Sequence, residues 1–425
     1  MIDPGVLPAM LLFLAQLPCT PRPVGGSAVP PTDGIRVSNQ ATVVAAPRGV
    51  AAPGRFGVAV AIDGERLFIG CDGLRDGPAV PGRVFGFHAA PNGGWVLDAE
   101  ILPTRSAPGD RFGATLDLEG DRLVVGAPGG TGARGGAWIV DLESGSAVPR
   151  AIRGLPLPEP RRGDRFGESI AIAGDLVLVG APRADVDGRF DRGRVAAIRL
   201  DEPGEADEIH PTISATGLRF GWAVEAGEHA FIGAPGMDAP SADGSIDRAG
   251  GVLVHELEPP FDHVRTRHLG RPRPLERFGS SIAVGGDIVV AGAPRAFVDD
   301  VRAGVIGVLS ARDVELVGPS ASDLGFGDRV GLSSGSFAAS MPGRRENGRL
   351  EPAVRIGRME NGDLRPIADL LLEAGGRVPA AVAFDPLGHT LAIGLPDPGF
   401  DDGAKLEGIV QVIDPFWLPG IEPAP

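Results

Sequence analysis

The carboxylates of one short loop are the first residues in this chain whose types and spacing could do chemistry. Asp185, Asp187 and Asp191 stand at alternating or turn-separated positions around Gly188. Oxygen-rich loops with a glycine at the bend are how chains wrap Ca²⁺, although Arg183 stands where a further ligand would help. A sparser version, Asp238, Ser241, Asp243 and Asp247, surrounds Gly244, and Asp299-Asp300 and Asp401-Asp402-Gly403 are weaker still. Asp185, Asp187, Asp191, Asp243 and Asp247 are thus the candidate metal ligands, and calcium is the candidate cofactor. The competing reading is that Asp and Gly simply make good polar turns.

Other constellations carry less. His255, His263 and His268 cluster in sequence without metal-ligand spacing and read as solvated surface residues. Gly331-Leu332-Ser333-Ser334-Gly335 matches the nucleophile elbow of serine hydrolases, but that motif needs a strand–turn–helix context and no helical pattern follows. Arg162-Gly163-Asp164 spells a cell-adhesion tripeptide, yet Pro108-Gly109-Asp110 occupies the same slot one repeat earlier, so it reads as structural. No catalytic residue is assigned.

The elements that position these loops come from a repeat. About every 54 residues the chain returns to Arg-Phe-Gly, a β-like run, a Gly-Asp turn, a second run and Gly-Ala-Pro. The clearest copies are Arg111-Phe112-Gly113 … Gly126-Ala127-Pro128, Arg165-Phe166-Gly167 … Gly180-Ala181-Pro182 and Arg277-Phe278-Gly279 … Gly292-Ala293-Pro294. The opening phenylalanines are Phe56, Phe112, Phe166, Phe220, Phe278 and Phe326, and a seventh copy, from Val382 to Pro396, has lost its own. A fixed period of this size means a solenoid or propeller.

Each unit reads as four short strands: in the third, Glu168 to Ala173, Leu176 to Gly180, Arg194 to Leu200 and Glu208 to Ser214. Seven such units predict an all-β, seven-bladed β-propeller of four-stranded blades. The last unit lacks a fourth strand, while Thr42 to Pro47 is a spare strand at the other end. The N-terminal strand is therefore expected to complete the last blade and close the ring, which removes exposed sheet edges. The expected boundaries are a signal peptide over 1–20, a flexible Pro/Gly-rich lead over 21–38, the propeller over 39–418 and a tail over 419–425.

These phrases resemble the FG-GAP repeat, the blade unit of the propeller at the head of integrin α-subunits, in a compact form similar to that of secreted bacterial proteins. The resemblance covers nearly the whole chain after residue 40. It implies a propeller that works outside the cytoplasm in adhesion or recognition. The family's Asp-rich calcium loop between the Phe-Gly and Gly-Ala-Pro strands has no counterpart here, because that connection is a short turn in every copy.

Composition agrees with this compartment. The net charge of −15 offers no basic patch for nucleic acid. Cys19 and Cys71 make no disulfide framework, and Cys71 reads as a small buried residue. Leu7 to Leu17 is an apolar run too short to span a membrane. It resembles a signal-peptide core, without the usual positive residues before it. The expected location is secreted, periplasmic or cell surface, without a membrane span in the mature chain, and the expected state is a monomer.

In a four-stranded blade the strand 2–3 loop and the strand 4–1 connection emerge on one face. That face collects the long loops, Asp72 to Gly82, Arg183 to Arg192, Gly236 to Gly250, Arg295 to Ala303, Gly343 to Arg349 and Asp397 to Glu407. It is the expected binding face. Five arginines recur there before Phe-Gly: Arg55, Arg111, Arg165, Arg219 and Arg277. They read as partners of neighbouring carboxylates or carbonyls, the alternative being an anion-binding ring around the channel. The expected function is exported, non-catalytic recognition of an extracellular protein or glycan. The alternatives are a propeller-fold hydrolase or lyase and a structural envelope protein.

Overall fold

Phenylalanine and glycine in fixed register dictate how the sheets meet. The computed structural model describes residues 34–36, 41–47, 54–74, 79–91, 93–129, 134–202, 204–309, 314–318, 324–333, 335–346, 349–360, 363–372, 377–396 and 408–414. They form seven blades, six of them antiparallel four-stranded sheets and one, blade 6, a five-stranded sheet, with no helix among the described residues. Blade 3 is representative, with strands Ser169–Ala173, Leu176–Ala181, Arg194–Arg199 and Asp207–Ile209 from the channel outward. The fourth strand stops short of the expected Ser214, since Pro211 has no N–H to offer a ladder. The apolar run Leu7 to Leu17, Cys19, Asp401, Asp402 and the tail after residue 418 lie outside the described residues.

The six phrase phenylalanines are fully buried. Phe112 of blade 2, for example, packs in one cluster with Phe68, Val84 and Ile101 of blade 1 and lies edge-on to Trp138 at 5.5 Å. The two phrase glycines are demanded by the seams. A Cβ on Gly126, Gly180, Gly233 or Gly292 would overlap the carbonyl oxygen of Gly167, Gly221, Gly279 or Gly327 in the next blade. Strand 2 of one blade thus meets the Phe-Gly corner of its neighbour backbone to backbone.

The ring closes as expected. Ala41–Ala45 pairs antiparallel with Ile409–Ile413 and supplies the outer strand of blade 7. Gly34–Arg36, which the sequence placed in the lead, adds a fifth, parallel strand to blade 6 opposite Asp369–Leu371. Blade 6 also corrects the expected Gly343 to Arg349 loop. Its strands Ser336–Glu346 and Arg349–Glu360 run on through that region as a long ribbon. The phrase has decayed in this blade, and a buried bidentate Arg355–Asp369 pair (2.7 and 3.0 Å) holds two of its strands instead.

Candidate binding face

On the face opposite the long loops, the strand 1–2 connections are two-residue turns opened by Gly64, Gly120, Gly174 and Gly286 at φ 54–59°. Their neighbouring charges are consumed in seams. Arg66 donates to Asp63, to Asp121 (2.9 Å) and to the Gly120 carbonyl (2.8 Å) of the next blade. Arg122 does the same to Asp175 and the Gly174 carbonyl of blade 3.

The long-loop face is built differently. In blades 3, 4 and 5 the strand 2–3 loops fold into small β-hairpins. In blade 3, Val186 and Arg189 bridge across Asp187 (φ 52°) and Gly188 (φ 73°), the pattern of a type I′ Asp-Gly turn. Blade 4 pairs Ala239–Ser241 with Gly244–Ile246, and blade 5 pairs Phe297–Val298 with Val301–Arg302 across Asp299 and Asp300, both at positive φ.

This places the candidate metal ligands. Asp185 accepts the Asp191 N–H (3.0 Å), Asp187 pairs with Arg192, and the Asp191 carboxylate lies 3.9 Å from Arg219. Asp243 sits at the tip of the blade 4 hairpin. Asp247 sits at its base, 3.3 Å from Arg248, whose N–H goes to Asp238 (2.9 Å). The structure brings Asp185, Asp187 and Asp191 into one hairpin and keeps Asp243 apart from Asp247. Among the described residues no group of three or more His, Cys, Asp or Glu is placed to hold a metal ion.

The five recurring arginines form a collar where the blades begin. Each adopts the left-handed backbone conformation, at φ 52–62°, where blade 6 has Gly325 at φ 73°. Non-glycine residues are uncommon there, and such strain gathers at functional sites. Arg55 and Arg111 share the fully buried Asp72, which stands where blade 1 departs from Gly-Ala-Pro. Arg165 lies 3.4 Å from Glu168, and its guanidinium is held below its usual pKa by burial first, against the Glu168 charge. Arg219 lies over the Trp222 ring at 5.5 Å. For Arg277 no carboxylate lies within ion-pair distance among the described residues. Burial and the neighbouring Arg295, Arg219 and Arg248 lower its pKa. Carboxylate pairing thus holds for the first three arginines and weakens toward blade 5.

One feature of the channel wall was missed from sequence. The residue five positions after the phrase phenylalanine is Ala61, Ala171, Ala283 or Gly331 in blades 1, 3, 5 and 6, but Asp117 in blade 2 and Glu225 in blade 4. Asp117 accepts the Ile172 and Leu118 N–H groups (2.8 and 2.9 Å), yet burial raises it to about 6. Glu225 is raised well above the carboxylate range by burial and by the Asp117 charge. Reading the repeat column by column, rather than phrase by phrase, exposes both.

The remaining motifs resolve as scaffold. Asp164 of the adhesion tripeptide is buried and bound to Arg194 (3.0 Å). Ser333 of the elbow-like motif is buried between two strands and accepts the Ser336 N–H (3.2 Å). The histidines correct the expectation of solvated surface residues: His255 is buried edge-on to Phe220 (5.8 Å) and 5.3 Å from the His263 ring. Cys71 is buried, and burial pushes its thiol up to about 12. No helix of the described residues is long and apolar enough to cross a membrane.

Comparison with known proteins places this geometry. The structure is similar to one described as the structure of U3-55K, at 12% identity and TM-score 0.56, covering 89% of this chain and 99% of that one. It is also similar to the crystal structure of the RRP9 WD40 repeats, at 12% identity and TM-score 0.55, covering 89% and 98%. At this identity the likeness is one of fold. No curated protein matches the sequence. The FG-GAP repeat family matches residues 95–147 and 158–195, across the seams of blades 1, 2 and 3. With its phrase glycines at the seams and its phrase phenylalanines in the core, the chain is a seven-bladed β-propeller that matches the FG-GAP repeat over residues 95–147 and 158–195.

Proposed function

We propose that this propeller is exported and works as a non-catalytic recognition module, binding an extracellular protein or glycan through its long-loop face. The observation that carries the reading is an asymmetry between the faces. The hairpins of blades 3, 4 and 5 and the arginine collar share one face, where Phe190 is 73% exposed. Arg66 and Arg122 of the other face are tied into seams. Rigid blades presenting irregular loops are the usual form of a recognition surface.

The test is binding of labelled protein to a glycan array and to a displayed random-peptide library, with hits rerun on variants. Charge reversal at Asp185, Asp187 and Asp243 is expected to weaken binding. Reversal at Asp121 and Asp175 on the tight-turn face is expected to leave it intact, and the opposite pattern would place recognition on the other face.

A specific observation favours a second reading. Asp117 and Glu225 are carboxyls with raised pKa values that depart from the repeat at the channel wall, the pattern from which general acids are made. Turnover of a glycoside panel that disappears in Glu225→Gln would favour the hydrolase or lyase reading over recognition.

A further inference from the structure

We propose that the junction of blades 4 and 5 is a carboxylate-binding pocket for an acidic peptide segment of a protein partner, with Phe190 at its rim as an apolar anchor. This deepens the recognition reading above and rests on it for the choice of face.

The pocket has a volume of about 120 Å³ and is lined by Arg219, Arg248, Arg277, Trp222, Ser280 and Asp191 among others. Its charge is unbalanced. Three guanidinium groups meet two carboxylates, Asp191 at 3.9 Å from Arg219 and Asp247 at 3.3 Å from Arg248. Arg277, half-buried, has no carboxylate within ion-pair distance among the described residues, and Arg295, Arg219 and Arg248 are the charges that act on it. Elsewhere in the collar the protein supplies the anion itself, as Asp72 does for Arg55 and Arg111. At blade 5 the same strained arginine, φ 61°, is kept without one.

An incoming carboxylate would complete the pattern, because the planar guanidinium fork matches its two oxygens. The volume suits a carboxylate on a short stem rather than a sugar ring with its substituents. Phe190 favours a peptide. Its carbonyl accepts the Gly217 N–H (2.8 Å), and Gly217 lines the pocket, so the Phe190 backbone is fixed at the rim and its side chain is exposed. Arginine together with an exposed aromatic is the composition of protein–protein hot spots.

The experiment uses the full chain and two fluorescent probes, a peptide of alternating Glu and Leu and a sulfated heparin oligosaccharide, with fluorescence anisotropy as the readout. The expected result is saturable peptide binding that weakens at least tenfold in Arg277→Gln, recovers in part in Arg277→Lys, and falls in Phe190→Ala. Arg122→Ala on the opposite face should bind as the parent does, and unchanged melting curves would show that the variants fold. Absence of peptide binding by the parent chain, or equal binding by Arg277→Gln, would overturn the pocket. Heparin binding that depends on Arg277 but ignores Phe190 would overturn the peptide assignment in favour of an anionic glycan. Loss of array hits on reversal at Asp185, Asp187 and Asp243, with Arg277→Gln unaffected, would sink the pocket while leaving the long-loop face standing.

Discussion

Gly394 in blade 7 lies against the backbone of Gly57 in blade 1 so closely that a Cβ at residue 394 would overlap the Gly57 carbonyl oxygen. The contact repeats at five other seams, from Gly70 with Gly113 to Gly292 with Gly327. Gly394→Ala is therefore expected to destabilise the ring by about 1–3 kcal/mol through overpacking. Gly335→Ala, where nothing lies within 4 Å of the new Cβ and φ is ordinary, is expected to change stability by less than about 0.5 kcal/mol. Urea unfolding of the two variants checks this, and equal midpoints would refute the seam argument.

The seam between blades 6 and 7 lacks this glycine pair, because Ser340 stands at the strand 2 position. It is also the seam that the N-terminal segment spans, with Gly34–Arg36 on blade 6 and Ala41–Ala45 on blade 7. A chain beginning at Asn39 keeps the closing strand and loses the fifth strand. It is expected to melt below the full chain, and thermal unfolding of both would show it.

Burial sets a pH dependence at His255. Its pKa in the fold is lowered, by burial first, and its buried Nε2 has no hydrogen-bond partner. The unfolded chain thus takes up a proton that the fold refuses. Stability is full above the unfolded value of 6.5 and is lost as pH falls from there through the folded value. Melting temperatures between pH 7.5 and 5 should fall less steeply in His255→Leu than in the parent.

Glu225 acts with the opposite sign. Its folded pKa lies above the unfolded 4.5, so the fold holds a proton that the unfolded chain has released. Stability is lost as pH rises from 4.5 through the folded value. Glu225→Gln is expected to be more stable than the parent at pH 7.5 and no more stable near pH 4. A gain that persists at pH 4 would refute a charge-based origin.

Calcium can be checked on the same instrument. Asp185 and Asp187 are already engaged by the Asp191 N–H and by Arg192. The melting temperature is expected to be the same in millimolar Ca²⁺ and in chelator. A rise of several degrees would show that the hairpin opens to wrap the ion, since a ligand of the native state alone must stabilise it.

The architecture was legible because a propeller writes its contacts at a fixed period. Phe112, Gly113 and Gly126 each answer one steric demand that recurs in every well-kept blade, so their spacing carried blade number, strand order and closure. What was not legible lies where a residue's partner is set by three-dimensional neighbourhood. Asp72 stands in the chain only where Gly70-Cys71-Asp72 replaces Gly-Ala-Pro, but in the fold it binds two collar arginines. The Asp187-Gly188 turn reads two ways from sequence, because an Asp-Gly hairpin and a calcium loop draw on the same residue types. Which one forms depends on Arg192, five residues away from Asp187, and sequence spacing alone does not weigh that pairing.

The closing strand also sets an order of events. Ala41–Ala45 is synthesised before any complete blade, and its partner Ile409–Ile413 after the other strands of blade 7. The inner strands of each sheet can zip one after another as the polypeptide emerges, from neighbours close in sequence, but the circle stays an open crescent until Ala41–Ala45 and Ile409–Ile413 meet. The slowest loop closure is then the final one, and the edge of blade 7 is unguarded until that moment.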